Sequence, residues 1–432
     1  MAGRGIRVQP FEPLVRWLQP FRMMGPAARR LSLAVFLWGL GEGLWLYVRP
    51  LYAAELGANS VQVGQVLGVM GLAPTLVMIP AGRLVDRFGS RLIMILGWWI
   101  GTLGVVAVAL APDWRWLAMA LFVYATSAFA IPAMNAYIAL EAGQRPSDAD
   151  SNQLIQTSIS QVFASYFAGT VFSPLVGGWL GQQFGLRAVF WVAAGWFVLS
   201  SLVASRVPRP VPAPPRVPVD RASPGAARMV PWWRLTGAQI RIYGVLAVLF
   251  FCMALGYALV PSYLRDVRGL EVETVGGLGS ATAAGGIIWL LLLGKRHSRK
   301  ALVIATGLMA LALGLLLAVP VAPYQVVALA GVYFLLGVYL TARSLSLGVV
   351  SAHTPPDQRG TSFGILETIW GVGVSAGPWL AGWLYSLAPD VPFKVTLLTL
   401  PPLMAVTWLA LRTPQPPAAR EQPAAAPAPS DR

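Results

Sequence analysis

Read from end to end, the chain alternates long apolar runs with short polar breaks. A helix rising 1.5 Å per residue needs about 20 mostly apolar residues to cross the ~30 Å hydrocarbon layer. Twelve stretches meet that need. In the first half they cover 31–54, 61–81, 92–111, 116–140, 153–180 and 188–204, and in the second 240–264, 272–293, 301–319, 325–352, 361–386 and 393–411. None alternates polar and apolar positions over about ten residues as barrel strands do, so the pattern predicts helices, numbered here as spans 1 to 12. The fold class expected is an all-α integral membrane protein of twelve transmembrane helices, six on each side of the midpoint. Residues 31–205 and 239–412 form the two six-helix bundles. The segments 1–30, 206–238 and 413–432 lie outside them. The middle one is rich in Pro, Arg and Ala and predicts an extended linker. The last is low in complexity and predicts a disordered tail.

Composition narrows the picture. Of the 432 residues, 56% are hydrophobic and 11% charged, with a mean hydropathy of +0.64. A soluble domain carries roughly a quarter charged residues, so an ordinary soluble enzyme is excluded. One cysteine, Cys252, and two histidines, His297 and His353, leave no disulfide framework and no Cys/His zinc cluster within the chain. No GxxxxGK[ST] sequence offers a phosphate cradle. Neither a cofactor nor a metal is expected.

The formal charge of +15 is explained by topology. Twenty-five of the 32 Lys and Arg residues fall on one side if both termini lie in the cytoplasm. Six fall at the other face: Arg49, Arg115, Arg187, Arg265, Arg268 and Lys394. That asymmetry predicts a multi-pass cell-membrane protein with cytoplasmic ends, touching anionic lipid but not nucleic acid.

The halves echo each other. Pro50, Leu51, Tyr52 and then Val66, Leu67, Gly68 recur as Pro261, Ser262, Tyr263 and Gly277, Leu278, Gly279, at an offset of 211. Gly169, Ser173, Pro174, Gly177, Gly178 and Trp179 recur as Gly373, Gly377, Pro378, Ala381, Gly382 and Trp383, at an offset of 204. Two such matches argue for a duplicated six-span unit. Duplicated bundles are what alternating access requires, because they can rock about a site held between them.

After span 2 the chain reads Gly82, Arg83, Leu84, Val85, Asp86, Arg87, Phe88, Gly89, Ser90, Arg91. This resembles GxLxDRxGxR, the loop signature of the major facilitator superfamily of secondary transporters. The glycines permit a tight turn, and an Asp at a helix end can pair with arginines or a helix N-terminus to latch that face. The second-half counterpart, residues 294–300, keeps the basic residues but lacks the Asp. Span 5 resembles the GxxxGPxxGG signature that the superfamily associates with antiporters, with Ser173 at one glycine position. Close helix packing explains its small residues equally well.

Three ionisable side chains, Glu42, Arg343 and Glu367, fall inside spans, where charge is costly and functional by default. Glu42 lies 12 residues past Arg30, Arg343 10 before His353 and Glu367 8 after Arg359. Their depths are about 18, 15 and 12 Å. The resemblance implies that spans 1, 4, 7 and 10 line a central cavity flanked by span 11. It would bring Glu42 and Arg343 to one chamber from opposite halves. Burial favours the protonated acid and a nearby guanidinium favours the carboxylate, so an approach and separation of the two would release and take up a proton. A fixed ion pair that only orients the helices is the plainer reading. Glu367 could equally partner a nearby arginine.

Other polar and aromatic residues mark the same chamber. Gln153, Thr157, Gln161 and Ser165 recur every fourth position, with Gln156 and Ser160 beside them, on one side of span 5. Asn135 and Tyr137 in span 4 and Tyr339 in span 10 could join them. Trp38, Trp45, Trp289 and Trp370 could wall the chamber, or anchor span ends.

The expected function is therefore proton-coupled secondary transport of a small organic solute by a monomer, with export of an amphipathic compound favoured. Uptake of a sugar, organic acid or amino acid is the alternative, and a non-transporting sensor or scaffold the alternative of another class. An intramembrane enzyme would need a nucleophile, base or metal constellation in the spans, and none is apparent.

Overall fold

The computed structural model describes residues 25–142, 151–209, 235–296, 298–322, 324–354 and 359–411. Most of the expected tails and linker lie outside these residues. Among the described residues all regular structure is helical, and the chain folds into twelve transmembrane helices in two six-helix bundles. Ten helices are long and apolar enough to cross a bilayer, and the bent pair Pro26–Leu46 and Arg49–Glu55 makes an eleventh crossing. Span 11, Arg359–Leu387, is 29 residues long but less apolar, because glycines, tryptophans and Glu367 dilute its hydrocarbon.

Span 1 begins at Pro26, taking five residues of the expected tail. Proline suits the first helical turn, where its missing N–H costs nothing, and Ala27 and Ala28 behind it are buried. The repeated Pro motif marks a repeated break. Span 1 stops at Leu46, bends by 52° and restarts as Arg49–Glu55 with Pro50 in its first turn. Span 7 stops at Ala258 and restarts as Val260–Asp266 with Pro261 in the same place. A proline lacks the N–H that would bond the carbonyl four residues upstream, which favours a stop and restart at each site; only the first bends by more than 40° among the described residues.

Two other starts are written locally. At span 2, Ser60–Phe88, the Asn59 side chain accepts from the Gln62 N–H while Gln62 Oε1 accepts from the Asn59 N–H, at 3.0 and 2.9 Å. The Thr236 and Gln239 pair repeats that reciprocal cap at span 7.

The bundles meet through two mirrored seams. Span 5, Ser151–Phe184, lies against span 1 through Gly177, where a Cβ would collide with the Leu44 carbonyl, and against span 8, Val272–Leu293, through Gly178. Span 11 repeats this, with Gly373 and Gly377 against span 7 and Pro378 and Gly382 against span 2. Gly169 against the span 1 backbone and Pro174 against Gly276 complete the span 5 face. Small residues are needed because backbones approach this closely.

The seams do not run the full height. Cross-bundle approaches on spans 2 and 11 extend from Ser60 and Gly382 to Thr75 and Gly371, and those on spans 5 and 8 from Gln182 and Val272 to Leu175 and Ser280. On span 11 they stop about 18 Å short of the end nearest the chain termini, Gly371 being 12 residues from Arg359. The bundles thus close at the face bearing residues 55–60 and part toward the terminal face. Outside, Leu103, Met119, Phe172 and Leu398 are more than three-fifths exposed, a surface suited to lipid rather than water.

Candidate central chamber

Glu42 sits on the inner side of span 1 and is partly accessible. The Tyr166 hydroxyl of span 5 donates to its Oε2 at 3.0 Å. Glu42 makes no ion pair among the described residues, and Arg49 stands seven residues on, beyond the break. Arg49 donates from Nε to the Leu46 carbonyl at 3.2 Å, reaches the Met70 sulfur and lies over the Trp45 ring, 5.1 Å from its centroid. The break therefore turns an arginine expected at the outer rim back toward the chamber.

Arg343 does not meet Glu42 in this structure. Its Nε donates to both oxygens of Glu367 at 2.9 Å, and Nη2 lies 2.8 Å from Oε1. The expected pair across the halves is replaced by one within the second half, between spans 10 and 11. Glu42 and Arg343 share a depth range but not a partner, because depth leaves open which way each side chain points around its helix.

Aromatic rings flank both ion-bearing sites. Trp38 packs on Phe197, Trp98 and Tyr124 with centroids 4.2, 5.7 and 6.1 Å apart. In the second half Tyr257 stacks on Tyr339 at 4.4 Å, Tyr339 lies 5.6 Å from Trp370, and Trp370 meets Phe250 edge-on at 4.8 Å. Trp45 is fully buried, and Trp289 donates to the Phe334 carbonyl at 3.0 Å, so both pack between helices.

The polar candidates separate. Gln161 is half-buried and Thr157 exposed toward the terminal face, while the Ser165 hydroxyl turns back to the Gln161 carbonyl at 3.2 Å. The side chains of Gln153 and Gln156 are outside the described residues. Asn135 is half-buried, and its side-chain oxygen is enclosed without a hydrogen-bond partner. Tyr137 does not belong to the chamber: it is buried in an apolar cluster with Leu31, Met94 and Ile138, and donates to the Pro208 carbonyl at 3.0 Å.

The loop motif is also rearranged relative to expectation. Gly82 lies within the span 2 helix, and the turn is made by Gly89 alone, at φ 84° and ψ 147°, a conformation glycine adopts without strain. Asp86 is exposed and has no ion pair among the described residues. Arg87 lies over the Phe88 ring. Arg91 donates to the carbonyls of Ser205 and Val207, both at 2.8 Å, capping the end of span 6. The latch through Asp86 is not formed where the bundles part.

Arg49, Tyr124, Tyr166 and Tyr257 are the chamber residues that sequence reasoning missed. The seven-residue spacing of Glu42 and Arg49, two helical turns, was the available signal for the first.

The family model described as "Major Facilitator Superfamily" matches residues 31–342 and 292–431. The multidrug resistance efflux pump PmrA of Streptococcus pneumoniae is 27% identical over 172 residues, 39% of this chain and 41% of that protein. The matched stretch thus spans about two fifths of the pump's length. The probable galactarate/D-glucarate transporter GudP of Bacillus subtilis is 24% identical over 379 residues, 76% of this chain and 78% of that protein. The crystal structure of a point mutant of the nucleoside transporter NupG superposes with a TM-score of 0.69 at 15% identity, covering 89% of this chain and 98% of the other. That likeness establishes the fold.

Proposed function

The chain belongs to the Major Facilitator Superfamily and is a membrane transporter of small molecules, not an enzyme; on that footing we propose that it is a proton-coupled exporter of an amphipathic organic compound. It works as a monomer in the cell membrane with both termini in the cytoplasm. The observation that carries this reading is Glu42, a carboxylate inside the spans, held by Tyr166 beside an aromatic wall. The similarity to efflux pumps supports export.

Proton exchange needs a carboxylate whose surroundings change between the two open states. In the terminal-face-open state Glu42 is reachable by water from that side. Closing that side and parting the seams at Gly178 and Gly382 would reset the 52° break, which packs against span 8 where Tyr47 meets Gly279. Arg49 lies just past that break, so its position relative to Glu42 is the variable that rocking changes. An arginine withdrawn favours uptake of a proton, and one brought close favours release. Arg49 takes the role first expected of Arg343. The aromatic walls would receive the apolar part of the solute.

The likeness to GudP favours a second reading, uptake of a carboxylated solute, with Arg343 as its anchor. In this structure Glu367 already occupies that guanidinium, which weighs against a free anion site.

The test uses the full chain in liposomes loaded with the cationic dye ethidium. A proton gradient should drive dye movement against its own gradient. Glu42→Gln should abolish that drive while leaving dye counterflow measurable. Unchanged gradient-driven movement would reject the coupling role, and no movement of any solute would point to a sensor or scaffold.

A further inference from the structure

The face where the bundles close holds a second cavity, of about 290 Å³ and separate from the central chamber. Its walls come from both halves: Leu51 and Val63 on one side, Leu259 and Tyr385 on the other, all buried. The apolar floor is therefore assembled only while this mouth is shut.

Ser262 lines the same cavity. It is 8% exposed, and its hydroxyl has no hydrogen-bond partner among the described residues. Some serines in these helices turn back to the carbonyl four residues earlier, as Ser173 does to Gly169 at 2.8 Å and Ser346 to Ala342 at 2.8 Å. The Ser262 hydroxyl thus stays free to bond a molecule in the cavity.

The rim sets the ligand's charge. Glu55 from the first half and Asp266 from the second stand at the mouth with a single arginine, Arg265. Tyr385 donates to Asp266 Oδ2 at 2.8 Å and so fixes that carboxylate at the opening. Neither Glu55 nor Arg265 has an ion-pair partner among the described residues. Two carboxylates against one guanidinium leave the mouth net negative.

We propose that this cavity is a binding site for a small organic ammonium ion with an apolar body, its charge at Glu55 and Asp266, its body on the floor and its donor hydrogens shared with Ser262. Because both halves contribute, an occupant favours the state in which this mouth is closed.

Benzylammonium chloride is the probe, with benzyl alcohol and sodium benzoate as the neutral and anionic counterparts. The thermal unfolding midpoint of the full chain in nanodiscs should rise with benzylammonium concentration, by about 3 °C or more at saturation. The counterparts should shift it far less. The rise should persist in Glu42→Gln, which separates this site from the central carboxylate, and vanish in the double variant Glu55→Gln with Asp266→Asn. A rise that survives the double variant, disappears in Glu42→Gln or is matched by benzoate would overturn the proposal, as would no rise at all. If the double variant does not fold, Ser262→Cys in a Cys252→Ser background supplies the readout. Benzylammonium should slow its alkylation by maleimide at least threefold, and an unchanged rate would overturn the proposal.

Discussion

Arg343 and Glu367 face each other across spans 10 and 11, with three nitrogen-to-oxygen approaches of 2.8 to 2.9 Å. Their side chains are 42% and 26% exposed, so water screens the pair and its net contribution to stability is about 1 kcal/mol or less. Its larger effect is on what the chamber can bind. Glu367→Gln should leave the unfolding midpoint nearly unchanged while freeing the guanidinium, raising affinity for carboxylated solutes such as benzoate by about tenfold, near 1.4 kcal/mol. Calorimetric titration of wild type and variant checks this, and equal affinities would show that Arg343 does not face the solute.

Glu42 and Arg49 should behave as an energetic unit. If rocking brings the two together, removing either costs the other a compensating charge, so the double variant should be destabilised by less than the sum of the Glu42→Gln and Arg49→Ala effects. A coupling energy of about 0.5 to 3 kcal/mol is expected from a double-mutant cycle on unfolding. Additive effects would remove Arg49 from the proposed coupling device.

Gly382 controls the closed mouth. A Cβ there would stand 2.5 Å from the Ser60 carbonyl across the seam, a backbone atom that cannot swing aside. Gly382→Ala should therefore hold the bundles apart on this face. Labelling of an Ala58→Cys reporter by a membrane-impermeant maleimide should become faster in that variant. Gly177→Ala acts within one bundle, against Leu44, and should lower stability by about 1 to 3 kcal/mol without that change in labelling.

Two charged positions of the loop motif, Arg91 and Asp86, should separate in their effects. Arg91→Ala strips the end of span 6 of two charge-assisted hydrogen bonds and should cost about 1.5 to 3 kcal/mol. Asp86→Asn removes an exposed group without an ion pair here, so stability should change by about 0.5 kcal/mol or less. Its effect should be on turnover, measured as a slower dye efflux rate, because a latch would form only once the terminal face closes.

Much of this architecture was legible along the chain. Within hydrocarbon a backbone can satisfy its N–H and C=O groups only internally, so a run such as 92–111 announces a helix without reference to any neighbour. The repeated Pro50 and Pro261 motifs announced a duplication, and the structure adds that each marks a break. The small residues of spans 5 and 11 marked close packing, and the Arg-rich loop after span 2 marked the family.

Partnership was another matter. The depths of Glu42, Arg343 and Glu367 follow from counting residues, but depth is one coordinate of three. Which carboxylate an arginine meets depends on the angle at which it leaves its helix and on how neighbouring helices are rotated. The bend between Leu46 and Arg49 changes that angle within a single span, turning Arg49 from the assumed rim back onto Leu46, Met70 and Trp45. Local hydrophobicity is a property of each segment alone and can be read from it. Charge pairing in the chamber is a property of the packed bundle, since even Arg343 and Glu367, 24 residues apart, meet only because spans 10 and 11 are rotated so that their side chains face each other.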